Sequence, residues 1–261
     1  MKKIILCDGD SWTAGDIVDP ELFGDELYHV NHPDNDQYRI PRVWPGMLDY
    51  ETINQSVAGS SNDAIVRRVL RKVIELLENN QPENLFVIVG WTSPERKDFY
   101  YKNNHGSWET IYPAQLEQDF DYDDESKKEL KQFYKIYLKY FWNREEYLER
   151  YIQQNLIIHY FLQDKGIKHL FFDAFYESKD GGLWDSKDLL DTLSNQISNR
   201  TFSDKLQKEF IELRNKFFIK ISMQKYLSSY SQKDLFDGNH PSTQGHKLWA
   251  KNINKIIKSV I

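Results

Sequence analysis

The sequence predicts an α/β protein in which helices cover both faces of a central parallel sheet. Short apolar runs without alternation are typical of strands buried on both faces, and amphipathic helical patterns stand between these runs. Strands that alternate with helices favour right-handed βαβ units. At 261 residues the chain can form one large domain, and no linker or internal repeat divides it. We therefore expect a single domain over residues 1–261, with a helical insertion at about 95–163.

The individual elements follow from local patterns. Short runs rich in aliphatic or aromatic residues predict strands at 4–7, 52–57, 85–89 and 167–173. Apolar residues spaced three or four positions apart predict helices at 62–79, 126–163, 186–198, 203–221 and 242–259. A short helix is predicted at 41–50, whereas 16–40 and 95–125 show no period and are predicted to be loops.

Composition and charge exclude several classes of protein. The net charge of -6 argues against a general nucleic-acid binder, which would normally carry a basic patch. The single cysteine, Cys7, allows no intramolecular disulfide and no cysteine pair for a metal. Only four apolar residues follow Lys3, too few for a signal peptide, and no apolar run is long enough to span a membrane. We therefore expect a soluble, cytoplasmic protein.

Ser11 is the first candidate for chemistry. It follows the first predicted strand in the turn Asp8-Gly9-Asp10-Ser11, and the carboxyl ends of parallel strands are where ligands bind in open α/β sheets. A serine there is either a helix cap or a nucleophile. Far downstream, Asp237 and His240 supply a carboxylate and an imidazole three residues apart. Together the three residues could form a nucleophile, its base and an acceptor that orients the base. The alternative is that each has only a structural role.

In their order along the chain, four short blocks resemble those of the SGNH hydrolases, also called the GDSL-like esterase and lipase superfamily. Gly9-Asp10-Ser11 resembles the nucleophile block, and Gly59 corresponds to the glycine of the second block. Asp237-Gly238-Asn239-His240 resembles the Asp-x-x-His block and is followed by Pro-Ser-x-x-Gly-His at 241–246. The third block departs from the pattern, because Thr92 stands where the superfamily has an asparagine. The stretch 90–96 also resembles a variant in uncharacterised SGNH-like proteins of tailed phages.

The resemblance implies a flavodoxin-like three-layer α/β/α sandwich with a parallel sheet of about five strands. It implies catalysis by Ser11, Asp237 and His240, with an oxyanion hole formed by the backbone N–H groups of Ser11 and Gly59 and by Thr92. Because a hydroxyl replaces the usual amide, three alternatives stand open: Thr92 or Ser93 substitutes, another amide such as that of Asn54 or Asn62 reaches in, or catalysis is weak or absent. We also expect substrate contacts from Trp12, Trp91 and Arg96.

The predicted function is that of a serine esterase, which hydrolyses a carboxylic ester by acyl transfer. The chemistry requires no metal and no organic cofactor. High aromatic content (15%) and polar loops favour a small-molecule or carbohydrate ester, with O-acetyl groups on carbohydrate as the first expectation. The competing hypothesis is a non-catalytic binding or structural protein with the same fold. The sequence does not predict the oligomeric state.

Overall fold

In the computed structural model the chain is described at residues 3–24, 26–102, 107–111, 125–175, 177–178, 182–183, 204–231 and 234–260. The strands are β1 (Ile4–Asp8), β2 (Glu51–Asn54), β3 (Leu85–Trp91), β4 (Lys97–Tyr101), β5 (Ser107–Ile111), β6 (Lys168–Asp173), β7 (Glu177–Ser178), β8 (Gly182–Leu183), β9 (Phe236–Asp237) and β10 (His240–Pro241). The α-helices are α1 (Ser11–Ala14), α2 (Pro20–Phe23), α3 (Asp36–Arg39), α4 (Asn62–Leu77), α5 (Glu125–Tyr140), α6 (Arg144–Asp164), α7 (Asp204–Phe217), α8 (Met223–Ser228) and α9 (Thr243–Val260). The helix predicted at 186–198 lies outside the described residues.

The central sheet has the order β2-β1-β3-β6, and all of its strand pairs are parallel. Beyond β6, an isolated parallel bridge joins Phe171 to Phe218 at the position of a fifth strand. In such an order the chain first moves from β1 to one neighbour and then crosses to the other, so a crevice opens at the carboxyl ends of β1 and β3. The predicted α/β class and parallel sheet are therefore confirmed.

Side chains of the sheet alternate between two apolar cores, as the pleat requires. One core contains Leu6, Val87 and Phe171, and it is covered by residues of α4, α6 and α7. The other contains Ile5, Ile88 and Phe172, and it is covered by residues of α8 and α9 and by the Trp44 segment. The two layers of helices hold the sheet rigidly, so its carboxyl edge presents a fixed platform for side chains.

Two regions differ from the predicted elements. Residues 97–101 and 107–111 form the antiparallel hairpin of β4 and β5 where a loop was predicted. The helix α6, within the predicted helical insertion, packs in the core that contains Leu6 and Val87. The predicted helix at 41–50 consists of two 3₁₀ turns, at Ile40–Arg42 and Trp44–Met47. Pro41 and Pro45 are tolerated in the first turn of a helix but would break its interior, so a continuous α-helix cannot form there.

In the described part of the chain, no helix combines the length and apolar character needed to cross a membrane.

Candidate active site

Ser11 begins α1 directly after the turn that ends β1. Asp10 caps this short helix, because its carboxylate accepts a hydrogen bond of 3.0 Å from the backbone N–H of Trp12. Gly9 is required at the turn, since a Cβ there would lie 2.9 Å from the carbonyl oxygen of Gly90 and closer still to Thr13. The backbone of β1 therefore passes tightly against β3, and Ser11 emerges at the crevice between them.

His240 reaches Ser11 from the other end of the chain. The strands β9 and β10 form a two-residue hairpin in which Gly238 adopts a positive φ of 56°, and His240 stands at its return. The Oγ of Ser11 lies 2.9 Å from Nε2 of His240, which is within hydrogen-bond reach. The sequence-predicted nucleophile and base are therefore adjacent.

The carboxylate at the other ring nitrogen belongs to Asp16, not to the predicted Asp237. The Oδ2 of Asp16 lies 3.1 Å from Nδ1 of His240. Asp237 is exposed and pairs with His240 only as its register partner in the hairpin; within the described ranges it has no hydrogen bond or ion pair to the imidazole. Because an imidazole has only two nitrogens, contacts with Ser11 and Asp16 leave none for Asp237.

The predicted oxyanion donors are the backbone N–H groups of Ser11 and Gly59. Ser11 occupies the first position of α1, where a helix leaves its N–H groups without an internal acceptor. Gly59 adopts a φ of 82°, and a Cβ built on it would meet no atom within 4 Å, so its backbone borders open space. Among the residues that the structure describes, neither N–H has a protein acceptor. Both are candidate donors to a developing oxyanion.

Thr92 is buried with its hydroxyl turned toward Asp10. Its Oγ1 donates a hydrogen bond of 2.6 Å to Oδ2 of Asp10, so its only hydroxyl proton is already engaged. The Asn62 carboxamide bonds both the N–H and the C=O of Thr92, at 3.0 and 3.1 Å. The Nδ2 of Asn54 is shielded from solvent and has no partner in the described region. The side chains of Thr92, Asn62 and Asn54 were the candidates to replace the asparagine of the third block as an oxyanion donor. The first two are bonded to other groups, and the Nδ2 of the third is buried.

Arg68 joins the serine turn to the loop that carries Gly59. Its guanidinium donates to both carboxylate oxygens of Asp8, with a shortest distance of 2.6 Å, and to the carbonyl of Gly9 at 3.1 Å. A further bond of 2.9 Å reaches the hydroxyl of Ser60. Asp8 is fully buried, and burial raises the pKa of its carboxyl while the Arg68 charge opposes this shift. Arg68 therefore fixes the relative position of the two loops.

The three predicted substrate-contact residues occupy other positions. Trp12 is buried against Phe175 and also lies beside the His240 ring, with centroids 6.4 Å apart. Trp91 is 1% exposed and packs in the core against Tyr151. Arg96 donates to the carbonyl of Ser60 at 3.1 Å and lies 3.5 Å from Asp10. The two tryptophans correct the sequence expectation, because their bulk fills the core that supports the site.

Sequence reasoning missed Asp16 and Arg68. Asp16 follows the helix-ending Gly15 inside a region without any period, where nothing distinguished it from neighbouring acidic residues. Arg68 lies on an amphipathic helix, where an arginine is usually a solvated residue. A useful signal was the fully apolar first strand ending in Asp8, since a carboxylate at that buried position requires a cation.

Comparisons with known proteins give a family and a fold. A family model described as a family of unknown function, DUF6071, matches residues 25–260, and no curated protein matches the sequence.

A crystal structure of TesA aligns over 99% of this chain and 100% of its own, with a TM-score of 0.51 and 10% identity. A member of the lipolytic protein G-D-S-L family from Veillonella parvula covers 98% of each chain, with a TM-score of 0.47 and 12% identity. The psychrotrophic esterase EstA from Pseudoalteromonas sp. aligns over 98% of this chain and 97% of its own, with a TM-score of 0.46 and 13% identity. The likeness to TesA is one of fold.

Proposed function

The chain belongs to the DUF6071 family, whose function is unknown, and from the geometry of its site we propose that it is a serine esterase. The observation that carries the proposal is that one ring nitrogen of His240 contacts a hydroxyl and the other contacts a carboxylate. Nε2 lies 2.9 Å from the Ser11 hydroxyl and Nδ1 lies 3.1 Å from the Asp16 carboxylate. A base in contact with both a hydroxyl and an orienting carboxylate is the arrangement that activates a serine.

In the proposed reaction Ser11 Oγ attacks the ester carbonyl while Nε2 of His240 takes its proton. Asp16 accepts the Nδ1–H, so that it holds the required tautomer and stabilises the imidazolium that forms. His240 then returns the proton to the departing alcohol. A water molecule attacks the acyl-serine with His240 again as base, and the acid is released as Ser11 regains its proton.

The negative charge of the tetrahedral intermediate would be stabilised by the backbone N–H groups of Ser11 and Gly59. Among the described residues neither N–H has a protein acceptor, so both are available to donate. Thr92 supports the site indirectly, because its hydroxyl is bonded to the carboxylate that caps the Ser11 helix. With two backbone donors and no side-chain amide, we expect a slow enzyme. Loss of one oxyanion donor typically costs about 10²–10³ in kcat.

We propose carbohydrate O-acetyl groups as the substrate class. The exposed aromatic rings of Tyr100 and Trp108 lie on the β4–β5 hairpin, and their centroids are 5.4 Å apart. Aromatic faces of this kind suit the apolar faces of sugar rings.

Hydrolysis of 4-nitrophenyl acetate by the purified protein tests the proposal, with Ser11→Ala as the matched variant. We expect measurable turnover that Ser11→Ala abolishes, and covalent labelling of the wild type by a fluorophosphonate at Ser11. Circular dichroism of both proteins establishes that the substitution leaves the fold intact. A wild-type protein that neither turns over the ester nor reacts with the fluorophosphonate contradicts the esterase proposal.

The second candidate is a non-catalytic protein that binds a ligand in the same crevice. It is favoured by one observation: the Thr92 hydroxyl proton is bonded to Asp10, and the Asn62 carboxamide is held by the backbone of Thr92. Fluorophosphonate reaction separates the candidates, because it reports an activated serine even where turnover is too slow to follow.

A further inference from the structure

A cavity of about 320 Å³ extends from the Gly59 loop along the exposed side of α4 to the β4–β5 hairpin. Gly59 and Ser60 form its inner end, next to the site described above. The rest of its lining includes three arginines of α4 and two residues of the hairpin: Arg67, Arg68, Arg71, Asp98 and Trp108. The proposed mechanism uses none of these five side chains in a chemical step.

Two of the arginines are held in place by carboxylates. Arg67 pairs with Asp98, and its guanidinium lies 3.8 Å from the centroid of the Trp108 ring. Arg68 pairs with the buried Asp8, as described above. These contacts preorganise the cationic wall, and they also neutralise much of its charge.

Arg71 differs from both neighbours. It is exposed, it lines the cavity, and within the described ranges its guanidinium has no hydrogen bond or ion pair. A guanidinium presents several N–H donors in a planar fork that matches a carboxylate. The cavity therefore contains an uncompensated positive charge one helical turn beyond Arg67.

A second cavity, of about 520 Å³, is lined in part by His240 and has the opposite charge. Its lining includes three carboxylates, Asp16, Asp234 and Asp237, and among the described residues that line it there is no lysine or arginine. The acidic cavity thus adjoins His240, whereas the cationic cavity adjoins Gly59. A ligand with one negative charge would be repelled from the first and attracted to the second.

From these observations we propose that the cavity beside Gly59 binds a carboxylate-bearing sugar, so that the substrate is an acetyl ester of an acidic saccharide. This inference rests on the esterase proposal and specifies its substrate. The sugar ring packs against the half-exposed Trp108, and its carboxylate bonds to Arg71. The ester carbonyl then points toward Gly59 and Ser11.

The test compares O-acetyl glucuronic acid with O-acetyl glucuronamide, which differ only in the carboxylate. We expect wild-type kcat/KM to be about tenfold higher for the acid, mainly through KM, as one charge-assisted hydrogen bond would give. Arg71→Gln should remove this preference, because it lowers kcat/KM for the acid more than kcat/KM for the amide. Lys72→Gln is the matched control, because it removes the same charge from the next residue of α4, which pairs with Glu75 and does not line the cavity.

Binding of glucuronate to the Ser11→Ala variant gives a readout that does not depend on catalysis. Calorimetry should detect binding that weakens about tenfold when Arg71→Gln is added. Equal kcat/KM for acid and amide, with activity intact, overturns the cavity proposal and leaves the esterase proposal standing. Glucuronate binding that requires Arg71, in a protein without any esterase activity, has the opposite meaning: the cavity proposal holds and the esterase proposal fails.

Discussion

The carboxylate of Asp16 lies 3.1 Å from Nδ1 of His240, and only four residues separate Asp16 from Ser11 along the chain. The short helix α1 explains this proximity. It makes one turn and ends at Gly15, which has a positive φ of 81°. The chain therefore changes direction at Gly15, and Asp16 follows directly beside the crevice. A buried guanidinium, that of Arg39, bonds the carbonyl of Ala14 at the end of the same helix. One short segment therefore presents both groups that contact the imidazole.

Replacement of Asp16 by asparagine is expected to reduce kcat/KM by about 10²–10⁴-fold, because the amide can present the wrong hydrogen-bonding group to Nδ1 and favour the wrong tautomer. Hydrolysis of 4-nitrophenyl acetate measures the effect. Asp237→Asn is the matched control, since it removes a carboxylate from the residue paired with His240 in the hairpin. We expect it to change kcat/KM less than threefold. If Asp237→Asn lowered kcat/KM more than Asp16→Asn, Asp237 would be the residue that orients His240.

The parallel sheet was predictable because burial on both faces leaves a strong local pattern. The runs at β1 and β3 are almost wholly apolar, β6 has the apolar centre Leu170-Phe171-Phe172, and all three strands are buried at nearly every position. The hairpin of β4 and β5 left no such pattern. Most of its residues are partly or fully exposed, and they include three charged side chains, so they resemble a polar loop.

At the site, local spacing predicted the nucleophile and the base but not the orienting carboxylate. Ser11 and His240 each lie in a short motif, whereas the partner of Nδ1 depends on how the hairpin of β9 and β10 meets the end of α1. Spacing of three residues favours Asp237, yet in this hairpin Asp237 and His240 are directly opposed and the ring nitrogens point elsewhere. Tertiary packing decided between two carboxylates that sequence alone could not rank.

Thr92→Val is expected to destabilise the protein more than it slows the chemical step. The substitution keeps the shape of the side chain but leaves Oδ2 of the buried Asp10 without its hydroxyl donor, at a cost of about 1–3 kcal/mol in the free energy of unfolding. Urea denaturation measures this loss, and Thr92→Ser should largely restore stability because it keeps the hydroxyl. If Thr92→Val instead lowered kcat by about 10²–10³ without a loss of stability, Thr92 would be an oxyanion donor.

Arg68→Met is expected to lower the free energy of unfolding by about 3–5 kcal/mol, because it leaves the buried carboxylate of Asp8 without its cation. Adding Asp8→Asn in the same chain removes that charge, so the double variant should be more stable than Arg68→Met alone. Lys72→Met on the same helix is the control and should stay within about 0.5 kcal/mol of the wild type. A double variant no more stable than Arg68→Met would mean that the ion pair itself matters little.

His246 predicts a pH dependence of stability. It is fully buried in α9 and accepts a hydrogen bond at Nδ1 from the N–H of Trp44, and burial, with a smaller contribution from the charge of His240, lowers its pKa from 6.5 to about 3. Between these values the unfolded chain binds a proton that the folded protein excludes. The free energy of unfolding therefore decreases as the pH falls below about 6.5, by up to about 1.4 kcal/mol per pH unit.

His246→Asn removes this titration while its side-chain oxygen can still accept from Trp44. Urea denaturation at pH 7 and pH 5 should show that the wild type loses about 2 kcal/mol more than the variant over this interval, whatever their absolute stabilities. His169, whose pKa burial lowers to about 4, is present in both proteins and cancels in the comparison. Parallel losses in the wild type and His246→Asn would mean that the folded protein protonates His246 as readily as the unfolded chain does.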